Sequence, residues 1–176
     1  MGHRLFLLRH AKSNWADPTV DDYDRPLNKR GREAAPAIGQ VMADYGWEPD
    51  YIFCSAAKRT QQTLDRILAK VKADPEVIIA EDLYLASAPH ILKRIQSTPD
   101  SAANLLVIGH NPGVEILAND LSAYGEVDVL NRLYMKYPTA ALSVITFEES
   151  SWRKVGPHSG KLEAFIRPRH IEEDRP

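Results

Sequence analysis

Short apolar runs recur along the chain, at residues 4–8, 51–54, 77–80, 105–108 and 142–147, with a weaker one at 162–166. They are rich in Ile, Val, Leu and Phe and mostly do not alternate with polar residues, which predicts strands covered on both faces. Between them the apolar positions change to helical spacing. Leu64, Ile67, Leu68 and Val71 fall at i, i+3, i+4 and i+7 within 58–71, and Val114, Leu117, Ala118 and Leu121 repeat that spacing. Ile91, Leu92 and Ile95 suggest another helix. Asn28 is placed to cap a helix that ends near Tyr45, with Gly46 as its stop. Pro36 inside that segment is expected to kink or divide it.

Strand and helix thus alternate four times, which predicts a three-layer α/β fold with a mostly parallel sheet and helices on both faces. The last segments lack a long helix between them and are expected to pair antiparallel. A length of 176 residues suits one domain, taken here as 1–169. The charged stretch 170–176 is expected to be a loose tail.

Composition narrows the class. Twenty-two Lys and Arg against 24 Asp and Glu give a net charge of -2, so no overall basic field draws the chain to nucleic acid or anionic lipid, and any positive patch must be local. Apolar residues at 44% and charged residues at 26% fit a globular chain rather than a disordered or membrane one. The run Leu5 to Leu8 is too short for a signal core or a membrane span, and Cys54 is the lone cysteine, so a cytoplasmic location is expected. The scattered His3, His90, His158 and His170 lack metal-ligand spacing, and no phosphate-cradling glycine motif occurs. Neither a metal nor a cofactor is expected.

In an open parallel sheet, ligands bind where loops leave the carboxyl ends of the strands. The first strand runs into Arg9-His10-Ala11-Lys12-Ser13, the second into Ser55-Ala56-Ala57-Lys58-Arg59, and the fourth into Gly109-His110-Asn111-Pro112-Gly113. Three remote loops would bring two histidines and several cations to one edge. Guanidinium forks match phosphoryl oxygens, and like charge from fixed arginines disfavours protonated histidines, so at least one imidazole is expected to stay neutral near pH 7 and able to attack phosphorus.

These loops, with Asp24-Arg25-Pro26-Leu27, Gly31, Thr60 and Thr63, resemble the histidine phosphatase superfamily of phosphoglycerate mutase-like fold, and within it the short SixA-type phosphohistidine phosphatases. The motifs run in order from about Arg4 to Phe147. The resemblance implies that His10 is the nucleophile, that Arg9 and Arg59 clamp the phosphoryl group, and that His110 completes the pocket. Ser13, Arg25 and Asn111 are further candidates for substrate contact; Asn111 could instead hold its loop by an Asx-type turn, and Asp24 could orient Arg25 or solvate a turn. Trp15 is a candidate docking rim or partly buried packing, and Cys54 reads as a small buried hydrophobe.

Two departures from the family pattern carry information. Ala11 and Lys12 stand where a glycine and an acid are usual. The catalytic glutamate of a Leu-x-Glu pattern is replaced, because the stretch reads Leu83-Tyr84-Leu85. Glu81, Asp82, His110 and water remain as proton donors. A missing acid is tolerable when the leaving group is an imidazole nitrogen. Residues 86–104, 19 in all, leave no room for a helical cap. An uncovered edge admits a side chain carried by another protein, such as a phosphotransfer domain of a phosphorelay or a phosphocarrier of sugar uptake, which would place the chain in signal transduction. A small-molecule phosphomonoesterase and a silent phospho-binding module are the rival readings.

Overall fold

The computed structural model describes residues 2–176. Its elements follow in the order β1 (His3–Arg9), α1 (Lys29–Asp44), β2 (Tyr51–Ser55), α2 (Lys58–Leu68), β3 (Glu76–Ala80), α3 (Ala88–Gln96), β4 (Asn104–Gly109), α4 (Gly113–Leu121), β5 (Ser122–Gly125), α5 (Val127–Met135), β6 (Leu142–Phe147), β7 (Gly160–Ile166) and α6 (Ile171–Asp174). One sheet holds all seven strands in the order β3-β2-β4-β1-β6-β7-β5. The strands β3, β2, β4 and β1 are parallel. β6 runs antiparallel to both β1 and β7, and β5 closes the far edge parallel to β7.

The two-sided burial of β1 explains its unbroken apolar run. Leu5 and Leu7 enter one core with Leu105, Val107, Ile91, Val114 and Leu117, on the side of α3 and α4. Phe6 and Leu8 enter the other with Leu106, Ile108, Ile38, Met42 and Ile67, on the side of α1 and α2. Successive strand side chains point to opposite faces, so both must be apolar when helices cover both. Each such buried side chain contributes about 1.5–3 kcal/mol relative to exposure. Between β3 and β4 the chain forms α3 and its turns, with no helical cap.

Asn28 caps α1 as expected, its side chain accepting from the Gly31 amide at 2.9 Å. Pro36 does not divide the helix: α1 runs unbroken from Lys29 to Asp44. The lost backbone bond and the ring clash cost about 3 kcal/mol. Burial of Ala35, Ile38, Val41 and Met42 against the sheet offsets that cost.

The segment 170–176 departs from the expectation of a loose tail. It contains the turn α6, and the buried Asp174 accepts from the Arg167 backbone amide at 2.9 Å, from Arg167 Nε at 2.8 Å and from Arg167 Nη2 at 2.8 Å. A charged run reads as solvated only until one of its members meets a partner, here Arg167 just after β7 and Arg132 on α5. The elements β5 and α5 were not legible in the apolar pattern. β5 is a short edge strand, and only Leu133 of α5 is fully buried.

No helix among the described residues is long and apolar enough to cross a membrane.

Candidate active site

The carboxyl ends of β1, β2 and β4 lie side by side in the sheet, so the three loops do meet at one edge. The loop after β1 is pinned from several directions. The His10 amide donates to the Gly109 carbonyl at 3.1 Å, and the Ala140 amide donates to the carbonyls of Arg9 and His10 at 3.1 and 3.0 Å. The Ala11 amide donates to Thr63 Oγ1 at 3.0 Å, and the Thr63 hydroxyl donates to the Arg59 carbonyl at 2.7 Å. The Asn28 amide donates to the Lys12 carbonyl at 2.9 Å. A Cβ on Gly31 would come 2.2 Å from that carbonyl, so only glycine lets α1 approach the loop this closely.

The hydrogen bonds fix the tautomers of both histidines. His10 Nδ1 lies 2.7 Å from the Ala11 carbonyl, which can only accept. Nδ1 therefore carries the proton and Nε2 keeps its lone pair. His110 Nδ1 lies 3.3 Å from Arg59 Nη2, an obligatory donor, and His110 Nε2 lies 2.7 Å from Ser55 Oγ. There Nδ1 accepts and Nε2–H donates to the serine. The two rings face each other with centroids 5.3 Å apart. Burial, with the neighbouring charges of Arg59 and Arg9, pulls both imidazoles down to about 3, so both are neutral near pH 7.

Arg9 and Arg59 serve the site differently. Arg9 Nη1 donates to the Tyr137 carbonyl at 2.9 Å, an acceptor shared with the Asn111 amide at 3.1 Å. Arg59 is 2% exposed and donates to the Asp22 carbonyl at 2.6 Å and to Asp22 Oδ2 at 3.0 Å. Each guanidinium leaves its Nε–H buried with no acceptor among the described residues. A buried donor left unpaired costs about 1–3 kcal/mol, and the same orphan Nε–H recurs at Arg4, Arg132 and Arg175, so it does not by itself mark an anion site.

Asp22 is the residue that sequence reasoning missed. Its Oδ1 accepts from Arg25 Nε at 3.1 Å and Nη2 at 2.6 Å, while Oδ2 accepts from Arg59 and from the Tyr84 hydroxyl. Partial burial pushes its carboxyl up, but the Tyr84 hydroxyl and the two guanidiniums outweigh this and hold it well below the usual range. Asp22, not Asp24, orients Arg25. The run Asp21-Asp22-Tyr23-Asp24 signalled acid near Arg25 without saying which member turns inward. Tyr84 was missed too; its ring stands edge-on to His110 at 5.4 Å, on the wall where the family's glutamate pattern is broken.

The remaining candidates fall as follows. Ser13 is buried and accepts from Arg25 Nη1, which makes it a support of that arginine. The Arg25 guanidinium lies 3.5 Å from the ring centroid of Trp15, which is 70% exposed at the rim. Asn111 secures its loop through Glu115 Oε2 at 3.2 Å and the Tyr137 carbonyl, with no Asx turn involved. Asp82 is committed to Arg94 and His90, and the Arg94 hydrogen bonds hold its carboxyl below the usual range. Cys54 is buried, and burial pushes its thiol up, away from thiolate chemistry.

Two neutral imidazoles and two arginines with spare donors, at the open edge of an α/β sheet, make an arrangement for handling phosphoryl groups. A family model of the histidine phosphatase superfamily (branch 1) matches residues 5–84. An uncharacterized protein of Mycobacterium tuberculosis is 36% identical over 165 residues, 92% of this chain and 100% of its own length. A candidate phosphohistidine phosphatase SixA from Nakamurella multipartitia matches with a TM-score of 0.83 and 26% identity, over 96% of this chain and 97% of that one. A second candidate SixA, from Agrobacterium tumefaciens, gives 0.80 and 28%, over 96% and 99%. The chain belongs to the histidine phosphatase superfamily, shares the fold of these SixA neighbours, and carries no helical cap between β3 and β4. Family and neighbours together support phosphatase activity.

Proposed function

We propose that the protein hydrolyses phosphohistidine on a partner protein through a phosphohistidine formed on His10. The observation that carries this reading is the lock on the His10 ring: with Nδ1–H held by the Ala11 carbonyl, the Nε2 lone pair is available at neutral pH. In the first step Nε2 attacks phosphorus. The P–N bond to the partner's imidazole breaks, and its electron pair stays on that ring nitrogen. In the second step a water oxygen attacks the phosphoryl group on His10, the P–N bond to Nε2 breaks, and inorganic phosphate leaves. Arg9, Arg59 and His110 stabilise the equatorial oxygens in both steps.

The wall after β3 supports a nitrogen leaving group over an alcohol. Leu85 stands where the family pattern has its glutamate, and Asp82 is tied to Arg94. An imidazole that keeps a proton on its distal nitrogen leaves as a neutral ring and needs no strong acid. His10→Ala is expected to abolish both hydrolysis and trapping of labelled phosphate. Labelling retained at another residue would overturn the assignment, and faster turnover of a sugar phosphate than of phosphoramidate would overturn the substrate class.

A further inference from the structure

A cavity of about 840 Å³ opens beside the catalytic loop, between α1, the end of α5 and the C-terminal segment. Its lining is unlike the rest of this mildly acidic protein. Lys12, Arg30, Lys136 and Arg169 line it with Arg9, and Glu33 is the acid among the lining residues. Two more lining cations, Arg132 and Arg167, are turned onto the buried Asp174 and share its single negative charge. The four exposed cations make no ion pair among the described residues. Arg9 joins the two regions, since it lines the cavity and also contributes to keeping His10 neutral.

We infer that this groove seats an acidic stretch of the protein that carries the phosphohistidine, an inference that rests on the function proposed above. Charge complementarity sets the sign: a concave surface of one charge attracts the opposite charge and speeds its encounter. The texture sets the class of ligand. Ala34, Ala37, Met135 and Pro138 lie among the cations, and the cations stand on exposed flexible stems. A compact polyphosphate would call for converging buried forks, whereas a peptide with acidic and apolar side chains matches a mixed lining. The groove starts at Arg9, so an acidic neighbour of the phosphohistidine would enter it while the phosphoryl group sits at His10.

The test uses two synthetic phosphohistidine peptides of equal length, one flanked by Asp and Glu and the other by Ser, alongside phosphoramidate. The wild type is expected to favour the acidic peptide in kcat/KM by about tenfold at low salt, the sum of several exposed charge pairs of about 0.2–1 kcal/mol each. High salt should erase the preference. The double variant Lys136→Glu with Arg169→Glu should lose it through KM while turning over phosphoramidate at the wild-type rate. A preference that survives the double variant, or its absence from the wild type, would overturn the groove and leave the function intact. Short polyphosphate inhibiting far better than the unphosphorylated acidic peptide would reassign the groove to a small polyanion. Failure on both peptides and on phosphoramidate would sink the function, and the groove inference with it.

Discussion

The two sides of His10 are built from the same kind of residue and treat charge in opposite ways. On the side of α2, Arg25 and Arg59 are buried and share one carboxylate, Asp22, with the Tyr84 hydroxyl as a further donor. On the side of α1 and α5, Lys12, Arg30, Lys136 and Arg169 are exposed and uncompensated. Compensated, buried guanidiniums are fixed in place before substrate arrives, which is what stabilising a transition state requires. Uncompensated surface cations are mobile and screened by salt, so they guide arrival and contribute little to the chemical step. On the proposed function, one side serves turnover and the other encounter.

The largest effect that could break this contrast is on Arg59. Replacing it by Ala removes an oxyanion donor, and kcat/KM should fall by about 10²–10³ on every substrate, phosphoramidate included. A loss confined to protein substrates would show that the α2 side also serves encounter. Asp22→Asn comes next. It keeps the shape of the hub and removes its charge, weakening charge-assisted bonds worth about 1.5–3 kcal/mol each. Steady-state kinetics should show kcat down by about ten- to a hundredfold. Inorganic phosphate should inhibit at lower concentration, because Arg25 and Arg59 lose their internal anion. Unchanged kcat would demote Asp22 to a surface acid.

The smallest effect is a null. Histidine resonances of His10 and His110 followed by NMR should show no inflection near pH 6.5, since both imidazoles stay neutral down to about 3. The same shift fixes the sign for stability. Below about pH 6.5 the unfolded chain binds protons on these rings. The folded chain does not until near 3, so stability falls as the pH drops through that window. Chemical denaturation at pH 7 and pH 5 measures the drop, and His10→Gln should reduce it.

Legibility in the sequence followed the same division. The buried strands, the Asn28 cap and the two histidines after β1 and β4 could be read because apolar periodicity and strand-end position are local signals. Asp22, Tyr84 and Asp174 could not, because a polar side chain's partner is chosen by the fold: Asp22 meets Arg59 and Tyr84 from distant segments, and Asp174 meets Arg167 seven residues earlier. Pro36 does not break α1, since the local rule about helix breaking met a larger burial term from the sheet. The short α5 escaped notice because little of it is buried, yet the loop after it delivers the Tyr137 carbonyl that holds Arg9.

The clearance at Gly31 sets a length scale. The hydrogen bond from the Asn28 amide to the Lys12 carbonyl ties the start of the helix bearing Arg30 to the loop bearing His10, and the absence of a methyl group at Gly31 lets the two meet that closely. If the groove seats a client protein as proposed, this fixed spacing would select it by how far along its own chain the negative charge sits from the modified histidine.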